Sequence, residues 1–436
     1  MPSPAPEPLS PRPLTFWLVN PFDDIPGEGP PPLRYWTLAR ILAARGHDVT
    51  WWTATWSHRR KAIRTAPLGI RDDEGFAVRL VAVRPYEKNV SLARIGSHRD
   101  FGRTFERLAN ESISSGQLER PDIILASLPP LEGPEAAARI ARRLDAAFVL
   151  DVQDLWPETF GRLLPGPRFL QRLFAPLVLG GMQNRRTALL KAADAVSATS
   201  RTFVDTVLPG VPQSLPRHVC YVGAYPQEFE APARTINHVP LPDGESTAPA
   251  GSPTLECIYA GTLEAGQDLD VLPAAARQLA AAGVKATIHV AGTGAAEAGL
   301  RRAAAMLGGS CRMEVHGLLP RQAYVSLLAR CDVGLVCVKP ESLVVMPNKA
   351  CDYAAAGLAL VNSLPGELQR LIDDHAAGVA YTAGDAASLA QAIMGFAADR
   401  NRLAAHRQGA RRLAAAEFDR ERTYPKFADW LETVSG

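Results

Sequence analysis

Short apolar runs rich in β-branched residues alternate with longer stretches of helical period along most of the chain. LTFWLVN, from Leu14, is followed by the helical YWTLARILAARG and then by HDVTWWT. VRLVAV, DIILAS, AFVLDV and DAVSAT come next, with amphipathic segments such as GPEAAARIARRL between several of them. After Gly251 the alternation starts again with LECIYAG, ATIHVAG, MEVHG, DVGLVCV and LALVN. A strand that is apolar on both faces must be covered on both faces, and the intervening helices supply that cover. The pattern predicts an α/β protein of two doubly wound, Rossmann-like domains with parallel sheets.

A length of 436 residues also asks for more than one core. Residues 1–13, MPSPAPEPLSPRP, read as a disordered proline-rich tail without a basic-then-apolar leader pattern. Residues 14–230 read as the N-terminal domain and 253–416 as the C-terminal domain. The Pro-, Gly- and Ala-rich stretch 231–252 reads as the linker between them. Residues 417–436 carry a helical pattern with no strand to follow, and are expected to cross back onto the first domain.

Composition narrows the function. Lys plus Arg is 47 against 45 for Asp plus Glu, a formal net charge of +2. That balance argues against a dedicated nucleic-acid partner. The six cysteines are scattered and form no CxxC, so they are expected to be reduced core residues of a cytoplasmic protein. The longest apolar candidate, LFAPLVLGGM from Leu173, is about half the length a membrane span needs. Contact with a membrane surface is still expected at WWTATWSHRRKAIR, residues 51–64, and at the Arg-bracketed run from Arg168. Tryptophans beside basic residues favour an anionic headgroup region, although Trp51 and Trp52 continue a strand and equally fit the core.

In doubly wound sheets ligands bind beyond the carboxyl ends of the strands, and four such ends carry unusual residues. After the first strand, NPFDDIPGEGPPPLR offers Gly27 and Gly29 for close backbone approach and Arg34 for an anion. The same residue types also make an ordinary proline-stiffened loop. After AFVL, DVQDLWPE places Asp154 and Glu158 where they could accept sugar hydroxyls, with Trp156 as an apolar platform. The alternative there is a helix start with Asp154 as its cap. Opening the second domain, YAGTLEAGQDLDVL has Gly261 and Gly266 ahead of a helix, and VAGTGAAEAGL has Gly292 and Gly294 in a similar turn. A glycine turn before a helix suits phosphate, and also suits a plain tight turn. Fourth, SLVVMPNKACDYAAAGLALV, residues 342–361, puts Asn348 as a helix cap and sets Lys349 and Asp352 on one face of the first turn. A helix N-terminus with a lysine suits a diphosphate, and a carboxylate suits a ribose diol.

In this order these segments resemble the retaining family-4 glycosyltransferases with the GT-B fold, whose two Rossmann-like domains face a central cleft. The resemblance spans nearly the whole chain after the tail. It rests on ARILAARGHDV, on ASLPPL followed by FVLDVQDLWPE, on ADAVSATS, on VHGLLPRQAYVSLLARCDVGLVCV, and on MPNKACDYAAAG. The DLWPE and PNK segments are similar to a bacterial branch that builds lipid-linked polysaccharide precursors. The resemblance implies that Asp352 holds the donor ribose and that Lys349, with Asn348, faces the donor diphosphate. It implies that the loop around Glu341 and Ser342 faces the donor sugar, and that Asp154 lies near the acceptor and the reacting carbon. Gly261, Thr262, Gln267 and Gly292 would line the donor. Gly27, Gly29, Arg34, Trp156 and Glu158 would line the acceptor.

There are departures. Val344, not a glutamate, stands eight residues before Asp352; Gln153 replaces the family's histidine; Thr262 and Gln267 stand where Arg and Lys are usual. Lys349 therefore has more of the diphosphate charge to carry. The implied activity is hexosyl or N-acetylhexosaminyl transfer from a nucleoside diphosphate sugar, UDP-linked, to a lipid-linked or other saccharide acceptor. It needs no cofactor and no metal, at the inner face of the cell membrane. A nucleotide-sugar epimerase of the same fold and a non-catalytic partner subunit are the alternatives.

Overall fold

The computed structural model describes residues 12–25, 27–28, 33–64, 70–71, 75–88, 91–158, 168–209, 212–230 and 254–435. The tail up to residue 11, Gly29 and the expected linker 231–252 lie outside the described residues. So do the side chains of residues 168–178, which form much of the apolar run expected to meet a membrane.

Two compact units make up the chain: residues 1–219 with 424–436, and residues 220–423. The first passage between units thus falls earlier than the expected 230, and residues 220–230 group with the second unit. The return falls at Tyr424, inside the last helix rather than before it.

In the first unit the elements run β1 (Thr15–Val19), α1 (Arg34–Ala44), β2 (Asp48–Ala54), β3 (Trp56–Ser57), β4 (Ala62–Ile63), β5 (Ile70–Arg71), β6 (Ala77–Val81) and α2 (Leu92–Ser114). They continue as β7 (Ile123–Leu128), α3 (Glu132–Leu144), β8 (Ala147–Val152), α4 (Arg168–Ala192), β9 (Ala195–Ala198), α5 (Arg201–Val207) and β10 (Arg217–Val219). The sheet order is β10-β9-β8-β7-β1-β2-β6-β5, parallel except for β5 against β6, and β3 pairs β4 as a separate hairpin. Helix α1 buries Tyr35, Leu38, Ala39 and Leu42, the three-and-four spacing of one helical face. Each large apolar side chain so buried contributes about 1.5–3 kcal/mol.

Trp51, Trp52 and Trp56 are all buried. This corrects the expectation of an aromatic membrane belt at residues 51–64: β2 lies between β1 and β6 inside the sheet, so its tryptophans are core. Of the neighbouring cations, Arg59 meets Asp24 at 3.3 Å and Arg60 meets Glu28 at 3.2 Å. Among the described residues no helix is long and apolar enough to cross a membrane.

The second unit runs α6 (Gln227–Glu230), β11 (Leu255–Ala260), α7 (Val271–Ala281), β12 (Ala286–Ala291), α8 (Glu297–Ala305), β13 (Cys311–Gly317), α9 (Arg321–Arg330), β14 (Val333–Val336) and α10 (Asn348–Ala355). It closes with β15 (Ala359–Asn362), α11 (Glu367–Asp374), β16 (Gly378–Ala380), α12 (Ala386–Ala398) and α13 (Arg400–Leu413). A short π-helix at Ala414–Phe418 leads into α14 (Arg420–Glu432). The sheet is wholly parallel, in the order β13-β12-β11-β14-β15-β16. Its core joins Cys257, Ile288, Val290, Leu335 and Val361 to Leu272, Leu279 and Ile393 of the covering helices. All six cysteines are free and buried.

Beyond Tyr424 the last helix packs on the first unit. Phe427 and Trp430 stack on His218, and Arg45 bonds Glu432 at 2.7 Å.

Candidate active site

In the second unit the carboxyl ends of β11, β12 and β14 meet the start of α10. Tyr353, on the buried face of α10, accepts a 2.7 Å hydrogen bond from the Ala260 amide, which ties the helix to the end of β11. Gly334 in β14 makes room for that tyrosine, since a Cβ there would stand 2.4 Å from the ring. The two glycine turns are pressed together. Gly261 has φ +145° and Gly292 φ +138°, and a Cβ on Gly292 would stand 1.8 Å from the Gly261 carbonyl oxygen. Only glycine fits both that space and that backbone.

Lys349 reaches across this turn. Its Nζ lies 3.8 Å over the Tyr259 ring and donates a long 3.4 Å hydrogen bond to Gln267 Oε1. The Tyr259 hydroxyl stands 2.9 Å from the Thr262 carbonyl and 3.1 Å from Gln267 Oε1. Burial without a carboxylate partner lowers the Lys349 pKa to about 7. The ammonium is thus held in a place that an anion would stabilise.

Asp352, one turn along α10, accepts from Tyr324 Oη at 3.1 Å and Arg321 Nη1 at 3.3 Å. Burial raises its pKa, and the Arg321 charge partly offsets that rise. Arg321 also bonds Glu228 Oε2 through Nε at 3.0 Å and lies over the rings of Phe229 and Tyr324. Arg321 and Tyr324, three apart at the start of α9, were not singled out from sequence; their spacing in PRQAY was the available signal.

The structure corrects one local expectation. Asn348 does not cap α10. Pro347 is the capping residue, with extended backbone, and Asn348 is the first helical residue, its side chain exposed. Proline's fixed φ takes the chain into the helix without a side-chain acceptor. Nearby, Glu341 is exposed and Ser342 Oγ accepts from the Val344 amide at 3.3 Å, closing a local turn.

In the first unit the carboxyl ends of the strands gather Phe22, His58, Tyr86, Arg94, His98, Asp154 and Trp156. The Arg94 guanidinium lies 5.3 Å from the Trp156 ring, 5.6 Å from Phe22 and 5.9 Å from Tyr86. His58 Nδ1 bonds Tyr86 Oη at 2.6 Å. Burial, reinforced by the Arg94 charge, lowers His58 to about 4 and His98 to about 3, so both are neutral at pH 7. Asp154 Oδ1 accepts from the Leu155 amide at 2.8 Å, and burial raises its pKa. None of the aromatic and basic residues around Asp154, apart from Trp156, stood out from sequence. They come from loops and from the start of α2, far apart in the chain, and only the fold assembles them.

Three acceptor-side expectations are revised. Trp156 is 7% exposed and lies under Arg94 rather than open as a platform. Glu158 is paired with Arg186, Oε1 to Nη2 at 2.9 Å. Arg34, 3% exposed, grips Asp151 with two bonds, Nε–Oδ2 at 3.0 Å and Nη2–Oδ1 at 2.8 Å, and stacks 4.7 Å from the Phe427 ring. Burial works against the Asp151 charge, but Arg34, Ser197 and Gln153 hold its pKa below the ordinary value. That pair is internal architecture, and it leaves Arg34 turned away from a passing anion. Gly27 has φ +83° in an exposed turn with open space around it. Gly29 lies outside the described residues.

Two parallel-sheet α/β units with these strand-end sites define the GT-B class, and the comparisons agree. The family described as "Glycosyl transferases group 1" matches residues 254–399, and the "Glycosyl transferase 4-like domain" matches residues 34–213. With both units accounted for in this way, the chain is a glycosyltransferase of the GT-B fold. No curated protein matches it in sequence.

Solved structures with the same fold include sucrose-phosphate synthase from Thermosynechococcus elongatus, at TM-score 0.69 and 14% identity over 97% of this chain and 99% of that one. A UDP-forming α,α-trehalose-phosphate synthase from Burkholderia xenovorans has TM-score 0.66 and 14% identity over 98% and 100%. Anabaena HepE in complex with UDP has TM-score 0.64 and 16% identity over 96% and 100%.

Proposed function

We propose that this protein is a retaining glycosyltransferase that moves a hexose or N-acetylhexosamine from a UDP-linked donor to a saccharide acceptor in polysaccharide or glycoconjugate synthesis. The observation that carries the reading is the placement of Lys349 and Asp352 one turn apart at the start of α10, beside the paired glycine turns of Gly261 and Gly292. Lys349 would leave the Tyr259 ring for the diphosphate, where charge grows on the leaving oxygen as the glycosidic bond breaks. Asp352, already oriented by Arg321 and Tyr324, would take the ribose hydroxyls. The backbone at Gly261, Thr262 and Gly292 and the side chain of Gln267 would border the diphosphate. Asn348 would stand with Lys349 at the diphosphate, and Ser342 and Glu341 would border the donor sugar. In this reading no cofactor or metal takes part in the transfer, since a helix N-terminus and a lysine suffice for the leaving group.

Asp154 and the Arg94 cluster form the acceptor end of the proposal. A guanidinium ringed by Trp156, Phe22 and Tyr86 suits a saccharide that carries a phosphate, as a lipid-linked one does. Such an acceptor would bring the protein to the cytoplasmic face of a membrane, where Arg59 and Arg60, more than half exposed, would meet anionic lipid.

The deciding experiment measures UDP release from a panel of UDP-sugars, with and without lipid-diphosphate saccharide acceptors. Acceptor-dependent release supports transfer. Formation of an epimeric UDP-sugar, or binding of UDP with no release under any acceptor, would remove it.

A further inference from the structure

On the face of the second unit's sheet opposite the Cys257–Ile288–Leu335 core, three polar side chains converge where strands β12 and β13 run side by side. His289 Nδ1 lies 3.0 Å from His316 Nε2 and 3.4 Å from Glu314 Oε2, and His316 Nε2 lies 3.9 Å from the same carboxylate oxygen. Ligand atoms about 2.0–2.1 Å from a tetrahedral zinc ion stand about 3.3–3.4 Å from one another. The observed triangle brackets that edge, so a small movement of the two more exposed side chains would bring all three onto one ion.

The surroundings of His289 strengthen the case. It is buried, and its other nitrogen, Nε2, is 2.9 Å from Glu256 Oε2 on β11. A carboxylate that takes the far N–H of an imidazole fixes the tautomer and leaves the near nitrogen's lone pair pointing at the metal. With the proton on Nε2, the Nδ1 lone pair would point into the triangle. A β-bulge places the third group: Val290 pairs with Val315 but Ala291 with Gly317, so His316 is the extra residue of β13. Bulges of this kind re-aim a side chain. Two carboxylates, Glu256 and Glu314, supply the negative charge a divalent ion needs. Of the cations that face the cluster, Arg301 is held by Glu297 at 3.1 Å and by the Val315 carbonyl at 2.7 Å, and Arg330 stands at the end of α9.

We propose that His289 Nδ1, Glu314 Oε2 and His316 Nε2 bind a zinc ion, with Glu256 orienting His289 and a water in the fourth position. On binding, the proton between the two facing nitrogens passes to His316 Nδ1 or to solvent. The ion has no part in sugar transfer. It clamps β12 to β13 just before Gly292 and Gly317, whose amide and carbonyl are joined by a 2.7 Å hydrogen bond, and so stiffens the base of the glycine turn.

The test uses the full chain, stripped with a chelator and dialysed, and titrated calorimetrically with zinc chloride. One equivalent should bind with a dissociation constant of about 1 μM or tighter, and zinc should raise Tm. Glu256→Gln keeps all three ligands and should weaken binding about 10–100-fold. His316→Ala, at the rim of the cluster, should weaken it more and abolish the Tm shift. Absence of a zinc-dependent heat and Tm shift in the wild type overturns the proposal, as does equal zinc affinity in wild type and His316→Ala. Should His316→Ala fail to fold, Glu314→Gln gives the same readout from an exposed position.

Discussion

The Lys349 ammonium rests 3.8 Å above the Tyr259 ring, and the strongest anchor it has there is that ring and one long bond to Gln267. A half-buried cation desolvated in this way is stabilised less than it would be in water, which is why its pKa falls to about 7. Stability then depends on pH. Between pH 7 and the ordinary value of 10.5 the unfolded chain holds a proton that the folded chain has released, so this group makes the protein more stable as pH rises through that window. Lys349→Met lacks the slope. From pH 7 to pH 8 the wild type should gain about 1 kcal/mol relative to the variant in urea unfolding. If Lys349 meets the leaving diphosphate as proposed, the same variant should lose kcat far more than it raises KM, because the charge there would be largest in the transition state. A raised KM with normal kcat would reduce Lys349 to a binding residue.

If Asp352 holds the donor ribose as proposed, Asp352→Ala should cost about 1–3 kcal/mol of UDP affinity, tenfold or more by calorimetry, because two ribose hydroxyls would lose their acceptor. It also leaves Arg321 and Tyr324 without their shared partner. Unchanged UDP affinity in a folded variant would withdraw the ribose assignment.

Gly292→Ala should destabilise the second unit by about 3 kcal/mol or more, at the upper end for single substitutions. Its Cβ would overlap the Gly261 carbonyl oxygen at 1.8 Å, backbone against backbone, and φ +138° would be strained besides. Gly266→Ala, with open space around its Cβ, is the control and should change stability little.

Arg34→Ala removes one partner of a fully buried pair and leaves the Asp151 carboxylate without its counter-charge, a loss of about 3–5 kcal/mol. Urea unfolding should show it. If stability held while the acceptor KM rose, Arg34 would be an acceptor contact after all.

Arg94→Ala should raise the acceptor KM about tenfold while UDP affinity stays unchanged, since Arg94 stands among Phe22, Tyr86 and Trp156 of the first unit and Asp352 belongs to the second. A weakened UDP affinity with normal acceptor KM would contradict the division of roles.

Residue order alone determined the α/β class, the two sheets and the place of α10. Those follow from the period of apolar residues and from glycine and proline at turns, all of which act over a few neighbours. The placement of Lys349 and Asp352 one turn apart was readable for the same reason, since both lie at the start of one helix. Only the tertiary structure decided which polar groups are inside and whom they meet. Arg34 looked like an anion contact until Asp151, more than a hundred residues away, proved to hold it. Trp51, Trp52 and Trp156 carried surface readings, but strand neighbours and Arg94 cover them. Glu256, His289, Glu314 and His316 lie on three strands, and no local spacing brings them together. Burial and charge pairing are set by contacts between residues far apart in the chain, and a pattern read along the chain does not contain them.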